Sequence, residues 1–243
     1  MDLQHEFERS GNLLFRWRSY VPAFLLAVIL VALTGFHYPQ GSHKLDMVWD
    51  SVCLGVAMLG LGIRFYTVGH APDRTSGRNT KHQVAAVLNT TGLYSIVRHP
   101  LYVGNLLIWV GLSLFPREWW CTAIIVLAFV VFYERVMIAE EQFLRMRFGE
   151  QFTQWAEKTP AFFPRFSLWT PPALPFSFKR ALRGEYSGFF GIILIFNLLE
   201  IVGDLFAKHR LEIDWEWALL FVFALVAYIV LRHMKHRKLL ERN

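Results

Sequence analysis

Six apolar segments of near-spanning length divide this chain and leave it few architectures. They run over Tyr20–Phe36, Met47–Val68, Leu101–Phe115, Trp119–Met137, Ser187–Phe206 and Trp215–Leu231. A helix needs about 20 mostly apolar residues to cross a bilayer. The third segment is short and joins the fourth through only Pro116, Arg117 and Glu118, so the pair reads as a tight helical hairpin. Tryptophans 17, 49, 119, 120, 215 and 217 fall near the predicted ends, where an interfacial aromatic belt places them. The expected fold is an all-α polytopic integral membrane protein with about six membrane helices.

The cations fix an orientation. Of the 25 Lys and Arg residues, 21 lie in residues 1–19, 64–100, 134–186 and 232–243; Lys44, Arg117, Lys208 and Arg210 lie on the other side. The positive-inside rule then predicts both termini in the cytoplasm and an even number of spans. The net charge of +6 is assigned to loops that face anionic lipid, not to nucleic acid. Cys53 and Cys121 both sit inside apolar blocks, which excludes a disulfide scaffold. The nine histidines show no HxxxH pair and no metal-ligand spacing, so no metal site is expected. No cleavage pattern follows Val21–Phe36, which reads as a retained anchor.

Two long polar segments, 69–100 and 134–186, fall on the predicted cytoplasmic side, where the chemistry of an enzyme would sit. "GHAPDRTSGRNTKHQ" (69–83) reads as a loop, and "VAAVLNTTGLYSIV" (84–97) turns at Thr91–Gly92. Pro100 suits the first turn of the next helix and places His99 at its start, where backbone N–H groups favour an anion. "FYERVMIAEEQFLRMRFGEQFTQW" (132–155) reads as one helix leaving the membrane, with Gly149 as its cap or kink. Charges at the membrane end of a span, here Glu134 and Arg135, are functional candidates by default. The sequence holds no GxSxG, P-loop or GxGxxG.

"TTGLYSIVRHPLYVG" (90–104), followed about forty residues later by "AEEQFLRMRFGEQFTQW" (139–155) and "FFP" (162–164), resembles the isoprenylcysteine carboxyl methyltransferase and phospholipid methyltransferase superfamily. Gly92, Tyr94, Arg98, His99, Pro100, Tyr102, Gly104, Glu140, Glu141, Leu144, Phe148, Gly149 and Pro164 match its pattern, and the resemblance covers about residues 47–166. It implies S-adenosylmethionine as methyl donor, held in a cytoplasmic pocket. The implied donor contacts are Asn79, Ala86, Val87, Leu88, Asn89, Tyr94, His99, Pro100, Leu101, Tyr102 and Glu140. A carboxylate and aromatic faces, here Glu140, Tyr94 and Tyr102, suit the donor's ammonium and sulfonium. Phe152 stands where the family has a tyrosine. The family's substrate-side arginine, four residues before the donor-binding glutamate, falls on Val136, with Arg135 one position away.

Arg135, Arg98 and Glu141 are the candidate catalytic side chains. The acceptor expected is a membrane lipid or lipidated substrate with an anionic group: an isoprenylcysteine-like carboxylate, or a lipid carboxylate or phosphate. A phospholipid amine N-methyltransferase, an NADPH-dependent membrane reductase and a non-catalytic scaffold remain open. Residues 1–46 read as an amphipathic segment and first helix, 47–170 as the methyltransferase core, and 171–243 as a basic linker with two further helices.

Overall fold

The computed structural model describes residues 21–72, 85–211, 214–237 and 239–240, together with Leu14. Asn79 and the amphipathic segment 1–19, apart from Leu14, lie outside the described residues. Among the described residues eight α-helices are bounded: α1 (Val21–Ala32), α2 (His43–His70), the single turn α3 (Leu93–Ile96), α4 (Pro100–Leu114), α5 (Trp119–Phe148), α6 (Glu150–Lys158), α7 (Phe178–Lys208) and α8 (Trp215–His236). Among the described residues there is no β-strand, only an antiparallel bridge between Gly92 and Thr170.

The protein is an all-α integral membrane protein. Helices α2, α5, α7 and α8 are each long and apolar enough to cross a bilayer, while α1 and α4 are shorter apolar helices. Side chains that face outward on α8, such as Leu219, Val222, Phe223, Val226 and Ile229, are exposed. In lipid that exposure is satisfied, because hydrocarbon is as apolar as the side chains themselves.

Helix α2 is the central post, and α4 lies against it at backbone contact. A Cβ on Gly60 would meet Gly104 O at 2.4 Å, and one on Gly111 would meet Cys53 O at 2.5 Å. Small residues permit this approach, and van der Waals packing then holds helices that hydrophobicity cannot drive together in lipid. The seam is locked by a buried ion pair. Arg64 donates from Nε and Nη2 to both oxygens of Glu185 on α7, at 2.9 and 2.7 Å, and from Nη1 to Asn105 Oδ1 on α4, at 2.8 Å. Three helices thus meet at one guanidinium. The apolar core fills the remainder around Leu25, Ile29, Leu112, Phe115, Ile125, Phe129, Phe196 and Leu199.

Two elements run further than their apolar stretches. Helix α5 continues unbroken from Trp119 to Phe148 and stops at Gly149, whose φ of 53° ends the helix as the sequence indicates. Helix α7 begins at Phe178, nine residues before its apolar segment, with Ser177 Oγ accepting from Arg180 N. Its first turns carry the charged residues Lys179, Arg180 and Arg183.

Candidate active site

The site gathers where α2 and α5 end and α4 begins. Pro100 is the first residue of α4 and His99 is its cap, with φ −121° and ψ 61°. Proline lacks the N–H that a first helical turn leaves unused, which fixes the start of α4 there. Residues 160–177 form a strap across the segment 92–99. Arg98 N and His99 N donate to Pro160 O and Ala161 O, Arg165 N to Ile96 O, and Gly92 N to Thr170 O. Gly92 has φ 62°, and a Cβ there would press on Pro172 at 3.3 Å. Only glycine adopts that backbone easily and leaves room for the strap.

His99 stands between two carboxylates of α5. Its Nε2 is 3.0 Å from Glu141 Oε1, and its Nδ1 is 3.7 Å from Glu140 Oε2. Tyr102 donates to Glu140 Oε1 at 2.6 Å, its ring stacking on His99 with centroids 5.6 Å apart. Tyr133 of α5 packs on Tyr102 at 4.7 Å, and Phe129 stacks beneath Tyr133 at 4.1 Å. An acidic group is thereby held beside a row of phenol and phenyl faces.

Arg98 shares the Glu141 carboxylate with His99. It donates from Nε to Glu141 Oε1 at 2.8 Å, and from Nη1 to the carbonyls of Ala156 and Thr159 at 2.6 and 3.1 Å. Those two carbonyls sit at the end of α6, where a helix leaves acceptors unused. Arg98 and Glu141 together therefore tie the α4 start, α5 and α6 into one unit. Trp155 of α6 adds a fourth tie by donating to Tyr94 O at 3.1 Å. Phe152 is fully buried beneath α6, so the position where the family carries a tyrosine is here a packing residue.

A cleft of about 550 Å³, counting its open mouth, lies beside this cluster. Tyr66 and His70 of α2, Val87, Leu88 and Asn89 of the incoming segment, Tyr94 of α3 and Leu174 of the strap line it. Tyr94 belongs to both parts: it lines the cleft and feels the charge of Glu140. Burial first, and then Glu140, push its phenol up to about 12, against the opposing hydrogen bond with Asn89. Ala86 is exposed and precedes the lining residues, Pro100 is buried, and Leu101 is half-buried on the first turn of α4.

Arg135 sits on α5 one turn before Ala139 and Glu140, between exposed Glu134 and buried Val136, with its Nε shielded from solvent. The start of α4 differs from the open anion site that its sequence implies. The amides of Tyr102 and Val103 bond to His99 O, and those of Arg98 and His99 bond to the strap. Protein carbonyls thus occupy most donors there. Sequence reading also missed Tyr66, His70 and the strap, although the proline-rich run Thr170–Pro175 is a signal for an ordered extended segment. Arg64 counted only as loop charge, yet a charge inside an apolar span was itself the signal for a buried partner.

A helical membrane bundle whose one end carries a cleft and a cluster of acid, imidazole and phenol groups has the build of a membrane-embedded enzyme. The phospholipid methyltransferase family profile matches residues 52–151, which contain the Arg98–Tyr102 and Glu140–Glu141 motifs. The chain belongs to the superfamily of isoprenylcysteine carboxyl and phospholipid methyltransferases. It is 34% identical over 196 residues to the nickel-cobalt-cadmium resistance protein NccN of Alcaligenes xylosoxydans xylosoxydans, covering 78% of this chain and 86% of that protein. It is 38% identical over 156 residues to the cobalt-zinc-cadmium resistance protein CzcN of Cupriavidus metallidurans, covering 63% and 64%. It is 28% identical over 123 residues to the protein-S-isoprenylcysteine O-methyltransferase of Schizosaccharomyces pombe, covering 48% of this chain and 50% of that enzyme. No solved structure matches the chain.

Proposed function

We propose that the protein transfers a methyl group from S-adenosylmethionine to an anionic acceptor carried by a membrane lipid or lipidated molecule. The observation that carries this reading is the union of two features at one end of the bundle. One is a cleft of mixed polarity with an aromatic and apolar wall, and the other is a carboxylate beside packed tyrosines. Bound there, S-adenosylmethionine supplies an electrophilic methyl group on a sulfonium.

The chain's own residues do the remainder. Val87, Leu88 and Tyr66 give apolar and aromatic walls for a flat base, with Asn89 as a polar contact. Glu140 offers negative charge to a cationic group, and Tyr102 holds its carboxylate in one orientation. The faces of Tyr94, Tyr102 and Tyr133 favour a cation over the rings. Methyl transfer from a sulfonium is an in-line displacement, so alignment and exclusion of water are the main demands. An anionic oxygen needs no general base. Arg135, at the membrane exit of α5, is the residue we assign to steering that anion, and the basic run Lys179, Arg180 and Arg183 favours the same charge type. Arg98 and Glu141 act as positioning residues that keep α6 and the strap closed over the site. We also propose that the cytoplasm is the side on which the site opens, and that the activity serves a response to divalent metals, the setting given by the names of two relatives.

The test is methyl transfer itself. Membranes containing the protein are incubated with methyl-labelled S-adenosylmethionine, and lipids are analysed by mass spectrometry for species heavier by one CH₂. A new methyl ester of a lipid carboxylate or phosphate supports the reading. Label found only on headgroup amines assigns the protein to phospholipid N-methylation instead.

A further inference from the structure

The opposite end of the bundle holds a second group of titratable residues that the methyltransferase reading does not use. Asp46 and Asp50 lie one turn apart near the start of α2, and Glu200 faces them from α7. One ligating oxygen from each lies within 4.8 Å of the others. His43, Glu200 and Asp214 satisfy the same condition, so Glu200 is common to both sets. His43 Nε2 is 2.9 Å from Asp214 Oδ2. Asp46 and Tyr66 are twenty residues apart on one helix, which puts this group about 30 Å from the cleft.

The charges here do not balance among the described residues. Asp46 is paired with Arg117, and Asp204 with Lys208 at 2.9 Å and with the hydroxyl of Tyr38. Asp50 and Glu200 remain, 1% and 3% exposed. Asp50 has no hydrogen-bond donor among the described residues apart from the carboxyl of Glu200 that faces it; its nearest cation is Arg117 Nη2 at 3.7 Å. Glu200 Oε2 and Asp46 Oδ2 are likewise buried without a hydrogen bond. Buried carboxylates without donors are costly, and two of them facing each other are costlier still. With Asp46, Asp50 and Glu200 all ionised, Arg117 leaves a net charge of minus two, the complement of one dication. Arg117, whose backbone has φ 64°, supplies the one guanidinium that the described residues bring to Asp46 and Asp50.

We propose that Asp46, Asp50 and Glu200, with His43 and Asp214 beside them, bind a divalent transition-metal cation. Carboxylates alone suit magnesium, calcium or manganese, whereas an added imidazole extends the set toward cobalt, nickel and zinc. Neither ligand group includes a cysteine sulfur, which disfavours copper(I).

The full-length protein, untagged and in lipid nanodiscs after treatment with a chelator, is titrated with CoCl₂ and then ZnCl₂. Bound metal is read by equilibrium dialysis, by the visible absorption of cobalt, and by the shift in Tm. The wild type binds one cobalt per chain, zinc displaces it, and Tm rises. Glu200→Gln lowers cobalt affinity by at least about tenfold, the lower bound for a lost supporting group at a metal. Asp50→Asn does the same, yet raises Tm in chelator because it relieves a buried charge. His43→Gln, at a half-exposed position, tests the imidazole with little risk to folding, and should weaken zinc and cobalt while sparing manganese. Absence of cobalt and zinc binding in a folded wild-type protein overturns the proposal. Equal binding by the wild type and all three variants also overturns it and marks an adventitious ion only.

Discussion

Replacing Arg98 separates a structural tie from a substrate ligand. Arg98→Ala removes three donor contacts, at 2.6, 2.8 and 3.1 Å, from a side chain that is 17% exposed. Breaking a buried ion pair costs about 3–5 kcal/mol. Here Glu141 keeps His99 at 3.0 Å and some solvent, so the expected loss is about 2–4 kcal/mol. Arg98→Lys keeps the charge but not the planar fork, and should recover about half of that. The carbonyls of Ala156 and Thr159 lose their donor, so the amides of α6 should exchange faster with deuterium while those of α2 do not. Reversible unfolding in mixed micelles measures the first effect and hydrogen exchange the second. The reasoning is refuted if Arg98→Ala unfolds within about 0.5 kcal/mol of the wild type with unchanged exchange in α6, yet no longer methylates. Arg98 would then be a ligand of the acceptor.

Arg135→Lys should retain folding and donor affinity but lose turnover, with Arg135→Ala losing more; wild-type rates in both would make Arg135 structural. Tyr94, with its phenol raised to about 12, should stay neutral well above pH 10. Because its proton is held more tightly when folded, its share of stability is complete below pH 10 and is lost as pH rises toward 12. Tyr94→Phe should flatten that decline in thermal unfolding, and an unchanged alkaline profile would contradict it. Reporter fusions after residues 44, 80, 117, 160, 210 and 243 should alternate out, in, out, in, out, in, and a fusion at 80 or 160 reporting outside would reverse the assigned orientation.

The sequence was most legible where one dimension suffices. Apolar length marked α2, α5, α7 and α8, and the charged continuation of α5 to Gly149 followed from its helical run. The two motifs also pointed at each other: Tyr102 and His99 do reach Glu140 and Glu141 across about forty residues. Hydropathy could not mark the start of α7, because Phe178–Tyr186 is helical but charged. The role of Arg98 was hidden for a different reason. Two of its three acceptors are main-chain carbonyls at the end of α6, which carry no residue signature. The acidic group at the far end was hidden by distance, since Asp50 and Glu200 are separated by 150 positions and meet only because α7 packs along α2. A search for local ligand spacing has no access to such a pair.

The central claim is that the cleft and the Glu140 cluster bind one methyl donor. Calorimetric titration of the nanodisc-embedded protein with S-adenosylmethionine tests it most directly, with NADPH as the competing ligand and Glu140→Gln as the site variant. Losing a charge-assisted contact costs about 1.5–3 kcal/mol, or about 10- to 150-fold in affinity. The account predicts saturable binding of S-adenosylmethionine, no heat with NADPH, and a loss of that size in Glu140→Gln but not in the exposed control Glu150→Gln. Binding of NADPH in place of S-adenosylmethionine, or wild-type affinity in Glu140→Gln, would contradict it.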